Sequence, residues 1–343
     1  MQDNQIVQLA LWRLREFLRE PEALFWIFAF PILLAIALGL AFQNRGEEAV
    51  PIGVISGAGA SEVVRSLELA SGLEPQLADS AVAFGLLRTG RLVLVVTPGE
   101  ELVYTYDSTR SEAHVARLRV DNALQESAGR ENPVVVREAL VAERGSRYID
   151  FLIPGLLGLN LMGTSMWGVG FGVVKDRMNK LLKRLLASPM RRRDYLLAHM
   201  LSRLTFLVIE VSVILAFGVL VFDVPLRGSL LAVLGICLMG ALAFAGLGLL
   251  VGSRQKTVEG VSGLMNLVMV PMWIGSGVFF SYANFPEALH PFLQALPLTA
   301  LNDALRAVIL EGAGVVAVGS ELGVLAAWLV VAFGLALRLF RWE

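Results

Sequence analysis

The sequence contains few of the residues from which disulfides and metal clusters are built. It has one cysteine, Cys237, and three histidines, His114, His199 and His290, which lie far apart along the chain. One cysteine excludes a disulfide within the chain, and the scattered histidines lack the close spacing of a zinc site. The sequence therefore predicts no metal centre.

Nucleotide-binding motifs are missing as well. No G-x-x-x-x-G-K-[ST] loop occurs in the chain, so the sequence predicts neither ATP chemistry nor an enzymatic activity of its own. The formal net charge is -1, and this balance gives no indication of a nucleic-acid partner.

Charged side chains are scarce. Hydrophobic residues make up 56% of the chain and charged residues 17%, whereas soluble domains carry about 25% charged residues. A helix needs about 20 apolar residues to cross the hydrocarbon layer of a bilayer. The sequence predicts an α-helical polytopic membrane protein with six transmembrane helices, at about 24–42, 149–174, 201–222, 229–251, 258–281 and 320–340.

The distribution of Lys and Arg predicts the orientation of these helices. Cations concentrate at the cytoplasmic ends of membrane spans. They are dense before the first predicted span, after the second, after the fourth and after the sixth. This places both termini in the cytoplasm, and it divides the chain into a first span (1–42), an extracytoplasmic domain (43–148) and a five-span membrane domain (149–343).

The segment 43–148 is long enough to form a small folded domain. Runs rich in Val, Ile and Tyr predict strands at 51–56, 91–98 and 102–108, and apolar periodicity predicts helices at 61–70, 80–90 and 111–129. Alternating strands and helices indicate an inserted small α/β or α+β domain. No catalytic pattern stands out in it, so we assign it no chemistry.

A basic stretch follows the second predicted span. From Lys175 to Arg203 there are nine Lys or Arg and two Asp. The pattern predicts a short amphipathic helix at about 175–190, lying either on anionic lipid headgroups or in a protein partner. Its apolar face is formed by Leu181, Leu182, Leu185 and Leu186, opposite Lys180, Lys183 and Arg184, and Pro189 ends it.

Weakly polar side chains in the second and fifth spans are candidates for a substrate pathway. Met is deformable, and Asn is costly in a membrane unless it faces a cavity or a partner helix. Ordinary helix packing is the alternative. The candidates are Asn160, Met162, Thr164 and Met166 in the second span, and Asn266, Met269, Met272 and Trp273 in the fifth.

Two further features concern helix packing. Glu210 within the third span is expected to lie near an end or to pair inward, and both a packing role and a functional role stay open. The G-x-x-x-G pairs Gly168/Gly172 and Gly248/Gly252 predict close helix contacts.

Prolines divide the last outer loop. Pro286, Pro291 and Pro297 interrupt an apolar stretch that is too short to cross, which predicts re-entrant half-helices at about 284–312. Asp303 and Arg306, at i and i+3, are expected to pair within the following helix.

Four segments carry a resemblance to a known family. They are LALWRLREFLREPEALFWIFAFPILLAIALG (9–39), YIDFLIPGLLGLNLM (148–162), LKRLLASPMRRRDYLLAHMLSR (182–203) and FPEALHPFLQALPLTALNDALRAVILEG (285–312). Together, and in this order, they resemble the permease subunits of ABC-2-type exporters, specifically the branch with a large extracytoplasmic domain between spans one and two. The resemblance covers essentially the whole chain.

The resemblance implies a multidrug-type exporter in a bacterial cytoplasmic (inner) membrane. It would be a dimer of this chain with a second copy or a close paralogue, surrounded by membrane lipids. The cargo would be hydrophobic or amphiphilic small molecules, drug-like or lipid-like. The loop at 284–312 would form an outer gate with Pro286, Pro297, Asp303 and Arg306.

The resemblance also implies that the basic stretch is a coupling helix, docked on separate ATPase subunits that bind ATP and Mg²⁺. Leu182, Arg184, Leu185 and Pro189 match that helix, and Lys180 lies on its polar face. One departure concerns the segment just before it, where the family often has Glu-x-Gly-Thr. This chain has Met178, Asn179, Lys180 and Leu181 there.

Two functions of other classes stay open at this point. An ATP-independent secondary transporter normally places paired ionisable residues within its spans, and Glu210 is the candidate for such a residue here. A membrane-anchored receptor or scaffold would instead use the outer domain to bind a partner.

Overall fold

The computed structural model describes residues 19, 21–42, 49–130, 145, 147–179 and 192–339. The chain forms two compact units, one of residues 1–43 with 141–343 and the other of residues 44–140. The first unit holds the long apolar helices, and the second holds the β-sheet.

The first apolar segment of the chain is helical but not uniform. It consists of α1 (Pro21–Leu24), a π-helix (Phe25–Ala29) and α2 (Phe30–Ala41). Pro31 stands in the first turn of α2, where proline is tolerated best.

The second unit is described over residues 49–130. Its elements are β1 (Val50–Ile55), α3 (Ala60–Glu68), β2 (Leu73–Ala78), α4 (Ser80–Arg88), β3 (Leu94–Thr97), β4 (Val103–Tyr106) and α5 (Ser111–Ser127). The strands form one four-stranded sheet with the order β2-β1-β3-β4. Strand β1 pairs in parallel with β2 and β3, and β4 runs antiparallel to β3. The side chains of α3 and α5 pack on one core of this unit, and those of α4 pack on a second core with Leu92 and Val95.

The sequence predicts every element of this sheet unit except β2. That strand has the sequence LEPQLA and carries Pro75, which argues against a central strand. Proline is accommodated on edge strands because one side of the strand donates no ladder hydrogen bonds. Strand β2 is at an edge of the sheet, so the missing N–H of Pro75 is tolerated.

The remaining helices follow in the first unit. They are α6 (Tyr148–Met178), α7 (Arg192–Phe222), α8 (Leu230–Gly252), α9 (Val258–Gly275), α10 (His290–Gln294), α11 (Pro297–Glu311) and α12 (Gly319–Leu339). Short 3-10 turns at Tyr282–Asn284 and Glu287–Leu289 precede α10.

Within the described residues, four helices are long and apolar enough to cross a membrane: α6, α8, α9 and α12. They coincide with the second, fourth, fifth and sixth predicted spans. Two shorter apolar helical segments fall on the first and third predicted spans. They are Phe25–Ala41 and the part of α7 at Phe206–Phe222. The fifth predicted span is too long, because α9 ends at Gly275 and Gly277 then takes a left-handed φ of 67°.

Helix α6 lies at the centre of this unit. It packs against α2, α7, α8, α9 and α11. Of its most apolar 18 residues, 78% are buried, against 17% for α12. Any rearrangement of the membrane helices therefore has to involve α6.

Candidate functional site

Helices α6 and α8 cross with their backbones in direct contact. A Cβ added at Gly248 would lie 2.6 Å from the Met166 carbonyl oxygen, and one at Gly252 would lie 2.8 Å from the Gly170 carbonyl oxygen. The predicted close contact at Gly248/Gly252 is confirmed. On α6, Gly170 is the residue that meets α8, whereas a Cβ at Gly168 would meet nothing within 4 Å. Positions two residues apart on a helix are rotated by about 200° about its axis, so Gly168 faces away from α8.

The substrate-pathway candidates on α6 are largely buried. Met162 and Met166 have no exposed surface, and Asn160 is 9% exposed. The Asn160 amide donates to the Ile27 carbonyl oxygen at 2.9 Å. Ile27 lies in the π-helix, so this irregular turn provides the hydrogen-bond partner of the buried amide. The Thr164 hydroxyl donates to the Asn160 carbonyl oxygen at 2.9 Å.

Glu210 is buried and directed inward, as one of the two sequence expectations states. It is 1% exposed, and the Thr164 hydroxyl is 3.2 Å from each of its carboxylate oxygens. This contact joins α7 to α6 at the level of the pathway candidates. A buried carboxylate in a membrane helix requires such polar partners.

The candidates on α9 lie on two different faces. Met269 and Met272 are buried, and the Met269 methyl group is 4.0 Å from the Cβ position of Gly163 on α6. Asn266 and Trp273 are exposed. The structure therefore brings the methionines of α6 and α9 together in the interior, and it places Asn266 and Trp273 on the outside of this chain.

Helix α11 is anchored by Arg306. The predicted pair with Asp303 is confirmed, with 3.7 Å between Arg306 Nη1 and Asp303 Oδ1. The guanidinium also donates to the Gly277 carbonyl oxygen, and at 3.3 Å to the Phe151 carbonyl oxygen. Its carbon lies 3.6 Å from the centre of the Phe151 ring, the geometry of a cation–π contact.

The prolines predicted to divide this segment stand at helix starts. Pro297 is the first residue of α11, and Pro286 directly precedes the 3-10 turn Glu287–Leu289. Both are positions where a missing backbone N–H costs no helical hydrogen bond.

Two more arginines bind the carbonyl groups at helix ends. Arg147, just before α6, donates to the carbonyl oxygens of Phe222 at 2.8 Å and Asp223 at 3.1 Å, where α7 ends. It also pairs with the buried carboxylate of Asp150 at 2.7 Å, and this hydrogen bond raises the pKa of Arg147. Basic side chains at helix C-termini satisfy carbonyls that lack an intrahelical partner.

Arg177 makes the equivalent contact at the other end of α6. Its guanidinium donates to the carbonyl oxygens of Gly252 at 3.1 Å, Ser253 at 3.0 Å and Gln255 at 2.5 Å. These groups form the C-terminal end of α8. The contact fixes the end of α6, which carries the first residues of the basic stretch, to the end of α8.

Sequence reasoning did not identify the cap roles of Arg147 and Arg177. In the sequence, Arg177 is one cation of the basic stretch, and only the packing of α6 on α8 reveals its partners. For Arg147 the i, i+3 spacing to Asp150 is a usable signal. The predicted coupling residues Lys180, Leu182, Arg184, Leu185 and Pro189 lie outside the described residues.

Within the described part of the chain, no group of three or more His, Cys, Asp or Glu side chains could hold a metal ion.

Comparison with models of known protein families identifies the family of this chain. The model of the ABC-2 family transporter proteins matches residues 21–338. The chain belongs to the ABC-2 transporter family. It is a helical, multi-pass membrane protein.

Individual relatives match parts of this ABC-2 transporter. It is 30% identical to ABC transporter G family member 20 of Dictyostelium discoideum over 186 residues, which are 53% of this chain and 25% of the relative. It is 23% identical to the probable multidrug ABC transporter permease YbhR of Escherichia coli (strain K12) over 166 residues, 48% of this chain and 45% of the relative. It is 34% identical to Nodulation protein J of Rhizobium meliloti (strain 1021) over 113 residues, 33% of this chain and 43% of the relative. The chain thus spans less than half of the length of each of these three relatives.

Proposed function

We propose that this ABC-2 transporter is the permease subunit of an ATP-driven exporter, and that it moves hydrophobic or amphiphilic small molecules out of the cell. The observation that carries the proposal is the family match over residues 21–338 in a chain that has no P-loop of its own. ATP and Mg²⁺ would be bound by separate ATPase subunits, and this chain would be no enzyme itself.

The basic stretch is the proposed contact with those ATPases. Arg177 supports this assignment, since it fixes the base of the stretch to the end of α8 through three carbonyl groups. The first residues of the predicted coupling helix, 175–178, belong to the last turn of α6, so a force on the coupling helix would reach α6 and α8 together. The close backbone contact of Gly170 with Gly248 lets these two helices move as one body.

A charged residue in the apolar face of the coupling helix should prevent docking. We expect the Leu185→Asp variant to lose co-purification with the ATPase encoded beside this gene, and to lose the ATPase activity of the complex. The reason is that a buried carboxylate without a partner is costly in an apolar cleft. The measurement is affinity purification of the co-expressed pair in nanodiscs, followed by ATP turnover.

A matched variant controls for this experiment. Leu118 on α5 is 58% exposed, so Leu118→Asp makes the same chemical change at a site outside the proposed contact, and association should persist. Normal co-purification of Leu185→Asp would refute the coupling-helix assignment. If the unsubstituted chain binds no ATPase, the basic stretch returns to its role on lipid headgroups.

A dimer is proposed from the exposed face of α9. Asn266 lies on this face beside Leu267, which is 69% exposed, and Val270, which is 40% exposed. An amide facing lipid is unfavourable, so a polar residue in a membrane helix usually faces a cavity or another helix. The second copy or a close paralogue is the proposed neighbour, and the space between the two faces is the proposed pathway, with Asn266 and Trp273 at its wall.

The proposed cargo follows from the lining chemistry. Trp273, with Leu267 and Val270 on the exposed part of α9, offers an apolar surface, which suits hydrophobic molecules. YbhR, which matches 48% of this chain, is named a probable multidrug ABC transporter permease. The outer segment with Pro286, Pro297, Asp303 and Arg306 is the proposed outer gate.

The proposed topology has six spans in a bacterial cytoplasmic membrane, cytoplasmic termini and an outer domain at 43–148. Ser108 is exposed in that domain. In a Ser108→Cys variant, a membrane-impermeant maleimide should label intact cells, whereas Lys256→Cys, exposed after α8, should react only after permeabilisation. The native Cys237 is buried and adds little background. Labelling of Ser108→Cys only from the cytoplasmic side would overturn this topology.

A further inference from the structure

Arg177 reaches beyond the end of α8 into the segment that leads to α9. This segment, residues 253–257, is referred to below as the α8–α9 turn. The guanidinium donates to the Ser253 carbonyl oxygen at 3.0 Å and to the Gln255 carbonyl oxygen at 2.5 Å. Two of the three carbonyl groups that Arg177 binds therefore belong to the turn and not to α8.

The α8–α9 turn also determines where α9 begins. The Thr257 hydroxyl accepts from the Gly260 backbone N–H at 3.1 Å, which is the contact of a helix N-cap. The Gln255 side chain covers the same first turn of α9, since a Cβ at Gly260 would lie 2.7 Å from Gln255 Oε1. Gln255 thus contacts α9 through its side chain, while Arg177 holds its carbonyl group.

Between its two ends, α9 meets α6 through methionines. A Cβ at Gly170 would clash with the Met265 methyl group, and the Met269 methyl group is 4.0 Å from the Cβ position of Gly163. Methionine side chains rearrange easily, so these contacts allow α9 to slide on α6. Helix α8 differs, because its backbone touches that of α6 at Gly248 and follows α6 without any help from an arginine.

We propose that Arg177 is the positioning residue that transmits movement of the coupling helix to α9. The inference rests on the proposed function, because the movement would come from the ATPase subunits. Arg177 lies in the last turn of α6, and its planar guanidinium can hold several carbonyl oxygens at once. A tilt of the coupling helix would therefore pull the α8–α9 turn with it. The turn would move the exposed face of α9, where Asn266 and Trp273 form the proposed wall of the pathway.

A simple helix cap does not account for this arrangement. Carbonyl groups at a helix end can be satisfied by water, and Arg254 and Lys256 in the α8–α9 turn are exposed, so the turn reaches water. Arg177 comes from a different helix and replaces water by a link between two helices. The two roles differ in their consequences, because loss of a cap lowers stability, whereas loss of a link interrupts the transmission of movement.

The movement of α9 can be measured without knowledge of the cargo. Ile274 lies near the end of α9 and is 54% exposed, so an Ile274→Cys variant can carry acrylodan, a fluorophore whose emission depends on local polarity. The native Cys237 is buried. The labelled full-length chain is purified in nanodiscs with the ATPase encoded beside this gene. Its emission is recorded without nucleotide and after ATP hydrolysis has been trapped with vanadate, and we expect the emission to shift on trapping.

Arg177→Met in the labelled chain tests the link. We expect the ATPase to co-purify, because the proposed docking residues at 180–189 are unchanged, and we expect the emission shift of the trapped complex to be lost. Arg177→Lys should retain part of the shift, since an ammonium keeps the charge but lacks the planar fork. Arg254→Met is the matched control. It removes a cation from the α8–α9 turn itself, but this side chain is exposed, so the full shift should persist.

The possible outcomes separate this inference from the proposed function. A full emission shift in Arg177→Met, even with a lowered Tm, would make Arg177 a cap only and would overturn the inference. Loss of ATPase binding in Arg177→Met would assign the residue to docking, and an equal loss of the shift in Arg254→Met would assign the effect to charge; either result also overturns it. If the chain with native Arg177 binds the ATPase and hydrolyses ATP but shows no shift at α9, this inference alone fails. If that chain binds no ATPase, the proposed function fails and the inference with it.

Discussion

Replacing Gly248 by alanine is expected to destabilise the membrane unit by about 3 kcal/mol, the upper part of the usual range for an overpacked core. The new methyl group would lie 2.6 Å from the Met166 carbonyl oxygen and 2.9 Å from the Met166 Cα. Both are backbone atoms, which cannot rotate away as a side chain can. Helices α6 and α8 would have to separate, and α6 is the helix that contacts most of the others.

The same helix provides the control for this substitution. A Cβ at Gly235 on α8 would meet nothing within 4 Å, so Gly235→Ala should change stability by less than about 1 kcal/mol. Both variants introduce one methyl group into one helix, and an SDS titration in detergent compares them directly. Equal stability of the two would show that the close approach of α6 and α8 does not hold the unit together.

The apolar runs of the sequence predicted the membrane helices because the requirement they reflect is local. A stretch of sufficient length must bond its own backbone to exist in a bilayer, and no long-range contact is needed to recognise it. The i, i+3 pair of Asp303 and Arg306 was predictable for the same reason. The spacing Gly248/Gly252 likewise marks a helix face, although it does not name the partner.

Contacts between distant segments could not be predicted in this way. Nothing near Arg177 in the sequence indicates that its guanidinium binds carbonyl groups 75 to 78 residues further on. The sequence also gives no local signal for the π-helix at Phe25–Ala29 or for the hydrogen bond that Asn160 donates to it. Both are recognised only when the two helices are packed together. Periodicity also left the faces of α9 undecided, and the structure separates buried Met269 from exposed Asn266.

Arg306→Met is expected to release α11 from α6 and α9. The arginine side chain is 12% exposed, and its loss removes the bonds to Phe151 and Gly277 and leaves the Asp303 carboxylate without its cation. Removing one partner of a largely buried pair typically costs about 3 to 5 kcal/mol. We expect a loss of stability at the lower end of this range, measured by thermal unfolding in detergent, because Asp303 is 30% exposed and retains access to water.

Asp303→Asn separates the ion pair from the other contacts of Arg306. This variant removes the pair but keeps the guanidinium on the Phe151 ring and on the two carbonyl groups, so it should cost no more than about 1 kcal/mol, as for a partly exposed pair. If the carbonyl contacts hold α11 in place, Arg306→Met must be much more damaging than Asp303→Asn, and Arg306→Lys should fall between them because an ammonium lacks the planar fork. Equal losses for Arg306→Met and Asp303→Asn would assign the whole effect to the ion pair. In that case α11 would be held by its apolar face, formed by Leu298, Leu301 and Leu305, and not by Arg306.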